Sequence, residues 1–599
     1  MNKATKILFA LLLTLGLAAE EKKVDKQIKT KAKDTCIKKS HYIDLMEITL
    51  SAYSTGHIDR YINDVRRDGL KEHGFPRLTA NIGILMAHGR RQDLKERFIS
   101  MMDLCCQQFL KVKAGNEFSV KEIIFCLQEL DKTNVISSAK LQEWKKLLAK
   151  INPYASYKIY AKSPEDNVFN WAAFSMLSEY MRQAYGLTNA YSDFIDLQAF
   201  SQLRHLDENQ MYRDPNEPIA YDMVTRGIFA MLLDEGYQGK YQKEWKKCLE
   251  ATAMPTLYMQ SVTGEMPYGG RSNQFVHNEA HVALLMEYYA KTFARKGDMV
   301  TAGKFKAAAQ RALEYMALWL NKEPITHIKN RFPRNSNYGC ERYAYFDKYM
   351  ITTASFLYFT YRLSDDTISV GELDDKTGVS WQSSDAFHKV FLRAGEYFAE
   401  YDYKADYHHD CNGMGRLHKK GAPSELCLST PCPTDPHYTL DISNSSLLAI
   451  APGICKDGKW QYGTAADSRH IVKSHQAAGE TAATSVECVF PGGETVQCNY
   501  LLNKDGLQVS LSGKGSLRCL LPVFRFNGEE HTKVTVNKNT LEVVFNGWVC
   551  RYMVENGSIT DLNLPARNRN GHYDSFAAEG NGELKVQIAI EKSAYIGKK

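Results

Sequence analysis

The sequence predicts an α+β multidomain protein, an N-terminal α/α toroid followed by a C-terminal antiparallel β-sandwich. Three observations carry this expectation. From Tyr42 to about Glu400, segment after segment places apolar residues at three- and four-residue intervals, the helical period. Beyond Tyr438 the texture changes to short β-branched or alternating runs separated by turn residues. A chain of 599 residues also exceeds what one core supports, since chains beyond about 250–300 residues split into domains.

The helical patterns run in order through 42–63, 78–87, 94–112, 120–130, 139–151, 168–184, 191–203, 219–233, 274–293, 301–320, 343–363 and 384–398. Breaks such as Asn152-Pro153 and Asp214-Pro215 separate them. So many helices with no strand signal between them leave a bundle, a solenoid or a closed ring. No unit of 20–50 residues repeats, which argues against a solenoid. Long loops rich in Tyr, Asn and Arg favour a ring whose loops build a cleft at one end.

Strands are expected at 445–452, 485–490, 495–502, 507–511, 516–526, 533–537, 541–545, 548–554 and 584–591. Lys504-Asp505-Gly506, the Ser512–Gly515 run and Asn537-Lys538-Asn539 read as hairpin turns between them. The expected domains are therefore a signal peptide at 1–19, a toroid at 20–401, an interdomain segment at 402–438 and a β-sandwich at 439–599. The interdomain segment is rich in His, Gly, Pro and Cys and too long for an idle linker.

Met1–Ala19 has a basic start at Lys3 and Lys6, an apolar run from Ile7 to Leu17 and small residues at Ala18 and Ala19, the pattern of a secretory signal. The run is shorter than the roughly 20 residues that span a bilayer. The expectation is an exported protein, periplasmic or secreted, with no membrane anchor in its mature form. A net charge of +6 with no concentrated basic stripe excludes nucleic acid as a partner, yet suits an anionic substrate if focused in a cleft. Fourteen cysteines permit disulfides in an exported chain, with Cys427–Cys432 and Cys488–Cys498 as local candidates.

Polar clusters in the loops must carry the chemistry. The run from Gly264 to Glu279 holds Tyr268, Arg271, Asn273, His277, Asn278 and Glu279 where a helix begins, after Gly269-Gly270. The run from Arg331 to Glu341 holds Arg331, Arg334, Asn335, Asn337 and Tyr338 and leads through Tyr343 and Tyr345 into the next helix. His408, His409, Asp410 and His418 crowd the interdomain segment, and Asn170-Trp171 opens a helix. Arg and Asn donate to a carboxylate, Arg with two parallel bonds, while Tyr and His exchange protons. This set suits proton abstraction beside a carboxylate whose charge has been neutralised, that is, β-elimination on a uronic acid. Hydrolysis would need two facing carboxylates, for which Asp222, Glu265, Glu279 and Glu341 are available. A non-catalytic glycan-binding protein is the third reading.

An exported α/α toroid followed by a β-sandwich resembles the polysaccharide lyases of the heparinase, alginate and chondroitin type. His277 followed by Tyr338 is similar to the His…Tyr order of several members, and Asn170 to the asparagine that neutralises the carboxylate in others. Segments 268–279 and 331–345 most resemble the L-rhamnose-α-1,4-D-glucuronate lyases, which remove terminal rhamnose from the glucuronate of arabinogalactan side chains. The chain lacks the Asn-Asn-His run and the Glu-Asn-Ser-Pro context of better-known lyases, so which residue is base and which is acid stays open. The resemblance implies His277 and Tyr338 as the proton-transfer pair, with Arg331 or Arg334 and Asn278 or Asn337 on the carboxylate. Asn170, Tyr268, Arg271, Asn273, Tyr345, His408 and His409 would contact an acidic glycan. No cofactor is required; a divalent metal at the interdomain His cluster is the one candidate.

Overall fold

The computed structural model describes residues 37–433, 435–440 and 449–593. The expected signal peptide and the start of the strand expected at 445–452 lie outside the described residues. No helix among the described residues is long and apolar enough to cross a membrane.

The helical part ends at Leu363. Its helices are α1 (Lys39–Ser51), α2 (Thr55–Asp68), α3 (Gly74–Ala87), α4 (Lys95–Gln108), α5 (Val120–Leu130), α6 (Ser138–Leu148) and α7 (Asn170–Ala184). The series continues with α8 (Ser192–Leu203), α9 (Ile219–Asp234), α10 (Gln242–Met259), α11 (Asn278–Arg295), α12 (Met299–Leu320) and α13 (Phe346–Leu363). In space, α3, α5, α7, α9, α11 and α13 each pack on the next, and α13 returns to α3, closing a ring. Around it α4 covers α3, α8 covers α7, α10 covers α9, α12 covers α11 and α1 covers α13. This is the α/α toroid.

Residue pattern sorts the two layers. Inner α3 buries every residue from Gly74 to Met86, with its polar Arg77, Thr79 and Asn81 hydrogen-bonded inside the ring. A Cβ on its Gly83 would collide with Cys126 and Phe98, so glycine permits the close approach of the neighbouring helices. Outer α2 buries only Ile58, Ile62 and Val65, one stripe at helical spacing. The helix expected over 42–63 is broken at Ala52–Ser54, where Ser54 caps α2 by accepting from the His57 amide. Helix α10 carries no clear sequence signal because its first turns are polar and Pro255 interrupts it.

The helix expected at 384–398 is not formed. A four-stranded antiparallel sheet lies there instead, β1 (Val379–Gln382), β2 (Lys389–Ala394), β3 (Tyr397–Asp402) and β4 (Gly413–Lys419). Strands β2 and β3 are buried along their whole length. Phe391 and Phe398 join the core of the toroid, while Val390, Leu392 and Tyr401 join the core of the β domain. A strand buried on both faces loses the apolar–polar alternation by which strands are read. The two-residue hairpin Gly395-Glu396, both with positive φ, joins β2 to β3.

The large antiparallel sheet comprises β5 (Pro452–Lys456), β6 (Lys459–Tyr462), β7 (Arg469–Ala478), β8 (Thr481–Val489), β9 (Thr495–Asn503) and β10 (Gly506–Phe526). It is completed by β11 (Lys533–Val536), β12 (Thr540–Phe545), β13 (Trp548–Val554), β14 (Ser558–Arg567) and β15 (His572–Lys592). Its order is β11-β12-β13-β15-β10-β9-β8-β7, with β14 on β15 and β5–β6 on β10. The Ser512–Gly515 run, expected as a hairpin, is instead an irregularity within the single long strand β10. The small sheet packs across β7–β9, so the sandwich is real and its small sheet is the layer that meets the toroid. Cys427, Cys488 and Cys498 carry free thiols, so neither expected disulfide is present.

Candidate active site

Among the described residues, all six inner helices begin at one mouth of the toroid. A cleft of about 530 Å³ opens there, lined by Phe118 just before α5 and by the starts of α3, α7, α9, α11 and α13. Helix N-termini carry partial positive charge and unsatisfied N–H groups, so this end of the ring favours anions. Side chains add to the field: Lys71, Arg77, Lys158, Arg271 and Lys348 line the cleft, against Glu72 as its single carboxylate. Arg77 is held by Glu122 at 3.0 Å and Lys71 by Asp68 at 2.8 Å. Lys158 and Lys348 have no carboxylate within ion-pair reach among the described residues. Burial, partly offset by Glu72, pulls the Lys348 ammonium below its usual range.

His277 stands at the N-cap of α11 and faces this cleft. Its ring stacks on Phe275 at 5.2 Å and its buried Nδ1 has no partner. Burial first, then His281, Arg77 and His327, hold its pKa well below the ordinary imidazole value, against the Tyr349 carbonyl. His277 is therefore neutral at physiological pH, with one buried ring nitrogen left without a partner. His281, four residues on and hence on the same helix face, also lines the cleft with both ring nitrogens unpartnered.

Buried imidazoles make a stability prediction. Burial holds His281 and His418 down to about 3 and His327 and His470 to about 4. The unfolded chain takes up these protons near pH 6.5. Between pH 6.5 and 4 the unfolded state therefore binds more protons, and stability falls as pH falls, by about 1.4 kcal/mol per pH unit for each group. The midpoint of thermal unfolding followed by circular dichroism is expected to drop steeply below pH 6; a flat profile to pH 4.5 would contradict these burial assignments.

Asp214 organises the opposite wall. Its carboxylate accepts from the Asn170 amide at 3.2 Å, from Asn170 Nδ2 at 2.8 Å and from the Arg271 guanidinium. Arg271 also donates to the Pro215 carbonyl and lies 4.4 Å over the Tyr221 ring. Beside it, Ser272 Oγ is 3.1 Å from the Tyr343 hydroxyl and 3.4 Å from that of Tyr221. Asn170, read from one helix start, and Arg271 and His277, read from another, are thus brought to one cleft with Tyr221 and Tyr343.

The β domain supports this wall from behind without lining it. Arg569, in the turn between β14 and β15, grips Glu341 through two bonds of 2.8 and 2.9 Å, and its Nε donates to the Gly339 carbonyl at 2.7 Å. Glu341 in turn accepts the Ser272 amide at 2.6 Å, where Ser272 has a φ of 61°. Asp410 of the interdomain segment accepts the Gly270 amide at 2.7 Å. Two carboxylates, one gripped from the β domain and one supplied by the interdomain segment, hold the loop that presents Arg271 and His277.

No family model matches the chain, and no curated protein sequence matches it. Among solved structures, heparinase III aligns with a TM-score of 0.37 at 9% identity, over 80% of this chain and 78% of that one. The heparan sulfate lyase HepC of Pedobacter heparinus aligns with a TM-score of 0.31 at 9% identity, over 84% and 76%. Endoglucanase CelQ of Clostridium thermocellum aligns with a TM-score of 0.26 at 11% identity, over 88% and 85%. Lyases and a hydrolase stand together at scores this low, so the functional reading rests on the cleft.

Other expected site residues lie elsewhere. Tyr338 is buried against the β domain, stacked on Phe332 at 3.7 Å with its hydroxyl donating to the Gly571 carbonyl at 3.3 Å. Arg331 lies 5.1 Å over the Trp319 ring, and Arg334 lies 3.7 Å over the Phe346 ring. Arg334, Asn337 and Tyr345 line an outer recess beside the cleft. Tyr268 is fully buried beneath Lys389, whose Nζ is 3.6 Å from its ring centre. Asn273 and Asn278 brace the loop by donating to the carbonyls of Gly270 and Ser272.

The carboxylates available for hydrolysis are occupied behind the cleft. Asp222 pairs with Arg226, Glu265 with Arg416, Glu279 with Lys329 and Glu341 with Arg569. The expected His cluster disperses, since Asp410 holds Gly270 and His418 is buried beside Ser261 and Ser429. His409 is buried with its ring 6.2 Å from that of Tyr438. His408 instead meets Asp435 and His437, with one donor atom from each within 4.8 Å of the others. Two imidazoles and a carboxylate are a donor set that suits zinc.

The sequence reading passed over His281, Tyr221, Lys158, Lys348 and Asp214. Only His281 had a signal, its four-residue spacing from His277.

Proposed function

We propose that this protein is a polysaccharide lyase that cleaves the bond to a uronic acid by β-elimination. The observation that carries the reading is Lys348, half-buried with no carboxylate in ion-pair reach among the described residues, at six helix N-termini beside the exposed Lys158 and a neutral His277. A half-buried ammonium without a counterion is costly, and an incoming carboxylate relieves that cost. Lys348, Lys158 and Arg271 would neutralise the carboxylate and so stabilise the enolate-like charge that develops on it. His277 Nδ1 takes the proton from C5, the C4–O4 bond breaks as the C4–C5 double bond forms, and the Tyr343 hydroxyl protonates the departing oxygen. Ser272, bonded to Tyr343, would resupply that proton.

The finer substrate, terminal L-rhamnose on α-1,4-linked D-glucuronate of arabinogalactan-type glycans, is supported by the resemblance of segments 268–279 and 331–345. The hydrolase reading has one carboxylate in the cleft where two are needed.

A panel of glucuronate-containing glycans tests this directly. The expected product is an ultraviolet-absorbing unsaturated uronate; release of reducing sugar with no such product would sink the proposal. Lys348→Met is expected to raise KM about 10- to 100-fold with a smaller change in kcat, the weight of one charged hydrogen bond. An unchanged KM would remove Lys348 from the carboxylate site.

A further inference from the structure

From Glu265 to Ser272 the loop that presents Arg271 and His277 belongs to no helix or strand, yet it is buried almost throughout. Buried N–H groups need acceptors, and here every second amide finds one on a different carboxylate. Met266 donates to Glu279 at 3.1 Å, Tyr268 to Glu400 at 3.3 Å, Gly270 to Asp410 at 2.7 Å and Ser272 to Glu341 at 2.6 Å. These carboxylates come from α11, β3, the interdomain segment and the loop before α13, so the ladder ties the loop to both domains. Its rungs differ in charge balance. Glu279 has Lys329 at 2.7 Å, and Glu341 has Arg569 at 2.8 Å. Glu400 has only shared cations. Arg416 of β4 is 3.5 Å from it but also 3.3 Å from Glu265, and Lys389 of β2 is 3.9 Å from it but 2.6 Å from Asp402. Glu265 and Asp402 each have a second partner, Lys329 at 3.6 Å and His388 at 2.7 Å. Glu400 has none, and its Oε1 is buried without a hydrogen-bond partner.

We propose that Glu400 is a positioning residue for the elimination: as the rung under Tyr268 it fixes the loop carrying Arg271 and His277, and it does so as a neutral carboxylic acid. The inference rests on the lyase reading of the cleft and adds what holds its residues in place. An ionised Glu400 would be a buried charge with no counterion of its own, whereas the neutral acid still accepts the Tyr268 amide. Burial pushes Glu400 up to about 8, against Arg416, Lys389 and the Tyr268 amide, with Asp410 adding to the rise. Glu265, despite equal burial, is held to about 2 by Arg416 and Lys329, and Asp402, also buried, is held low by His388 and Lys389. In an opened loop Glu400 meets water and ionises near its ordinary value of about 4.3. Opening therefore releases a proton at any pH between that value and about 8. It grows easier as pH rises through this window, by up to about tenfold per pH unit, and levels off above it.

Hydrogen exchange of the full chain over 264–277, corrected for the intrinsic rate at each pH, reads the loop without any substrate. Wild-type protection is expected to fall between about pH 5 and 8 and then to level. Glu400→Gln keeps an acceptor for the Tyr268 amide but cannot ionise. Its protection should stay flat over that range and stand at least about tenfold above wild type at pH 8. Glu400→Ala removes the acceptor and should loosen the loop at every pH. With a glucuronate-containing glycan, Glu400→Ala should lower kcat/KM by about 10- to 100-fold, the cost of misplaced reacting groups, and Glu400→Gln should restore it. A rung that worked as an ionised carboxylate would give the reverse order, with Glu400→Gln less protected than wild type. That order, or a wild-type profile flat from about pH 5 to 8, overturns the proposal. The wild-type profile decides the question even where the variants fold poorly. If no unsaturated uronate forms at any pH, the lyase reading falls instead, and exchange still decides whether Glu400 holds the loop as an acid.

Discussion

Replacing His277 by alanine is expected to lower turnover by about 10²- to 10⁴-fold, the usual weight of a positioned general base, with KM for the glycan changed far less. The imidazole lines the cleft at the start of α11 with its Nδ1 unpartnered, and its cation is disfavoured by burial and by His281 and Arg77. Because the base form persists below pH 6, the acid limb of kcat should fall at lower pH than for an ordinary imidazole. His281→Ala is the control: the same helix face loses a ring, but with a smaller effect on turnover. Unfolding curves of both variants report whether the fold is kept. A His277→Ala protein with near-normal kcat would move the base to another group, with Tyr343 and Tyr221 next in reach of the same volume.

Arg569→Ala should be the most destabilising single change at the junction, by about 3–5 kcal/mol, because it leaves the Glu341 carboxylate buried without its partner. Replacing both partners, Arg569→Met with Glu341→Gln, should recover much of that loss, since a neutral pair leaves no orphaned charge. Activity should not recover in parallel, because the Ser272 amide loses the carboxylate that fixes it and the Arg271–His277 loop loosens. Denaturant unfolding measures the first effect. Hydrogen exchange over 264–277 measures the second. Full activity in the double variant would show that the loop needs no support from the β domain. A helical fragment ending at Glu400 is expected to fail for a related reason: the cut leaves β3 without its β4 partner in the layer on which the toroid sits.

Much of this architecture was written in local periodicity. Ile58, Ile62 and Val65 form the single apolar stripe of outer α2, while inner α3 buries nearly every residue. His277, Arg271 and Asn170 were recognisable as site residues because polar groups crowd helix starts there, one set behind Gly269-Gly270. The tyrosine was not. Tyr338 and Tyr343 lie five residues apart in one polar loop, and no local rule says which faces the cleft. The loop's fold decides it: Tyr338 stacks on Phe332 at the β domain, while Tyr343 meets Ser272 at the cleft. Lys158 and Lys348 were illegible for the opposite reason, since one lysine in a loop or on a helix looks like any other until its missing counterion is seen.

The division between the two domains shows the same limit. Helical period and β alternation, each a property of a few consecutive residues, placed the toroid and the large sheet. The small sheet β1–β4 escaped because a layer pressed between two cores is apolar on both faces, and its identity depends on what packs above and below it. Membership in the cleft is likewise not local, since it joins residues from Lys71 to Phe356 that meet only when the ring closes. The residues carried the capacity for acid–base chemistry on an anion; closure of the ring and support from the β domain chose which of them face it.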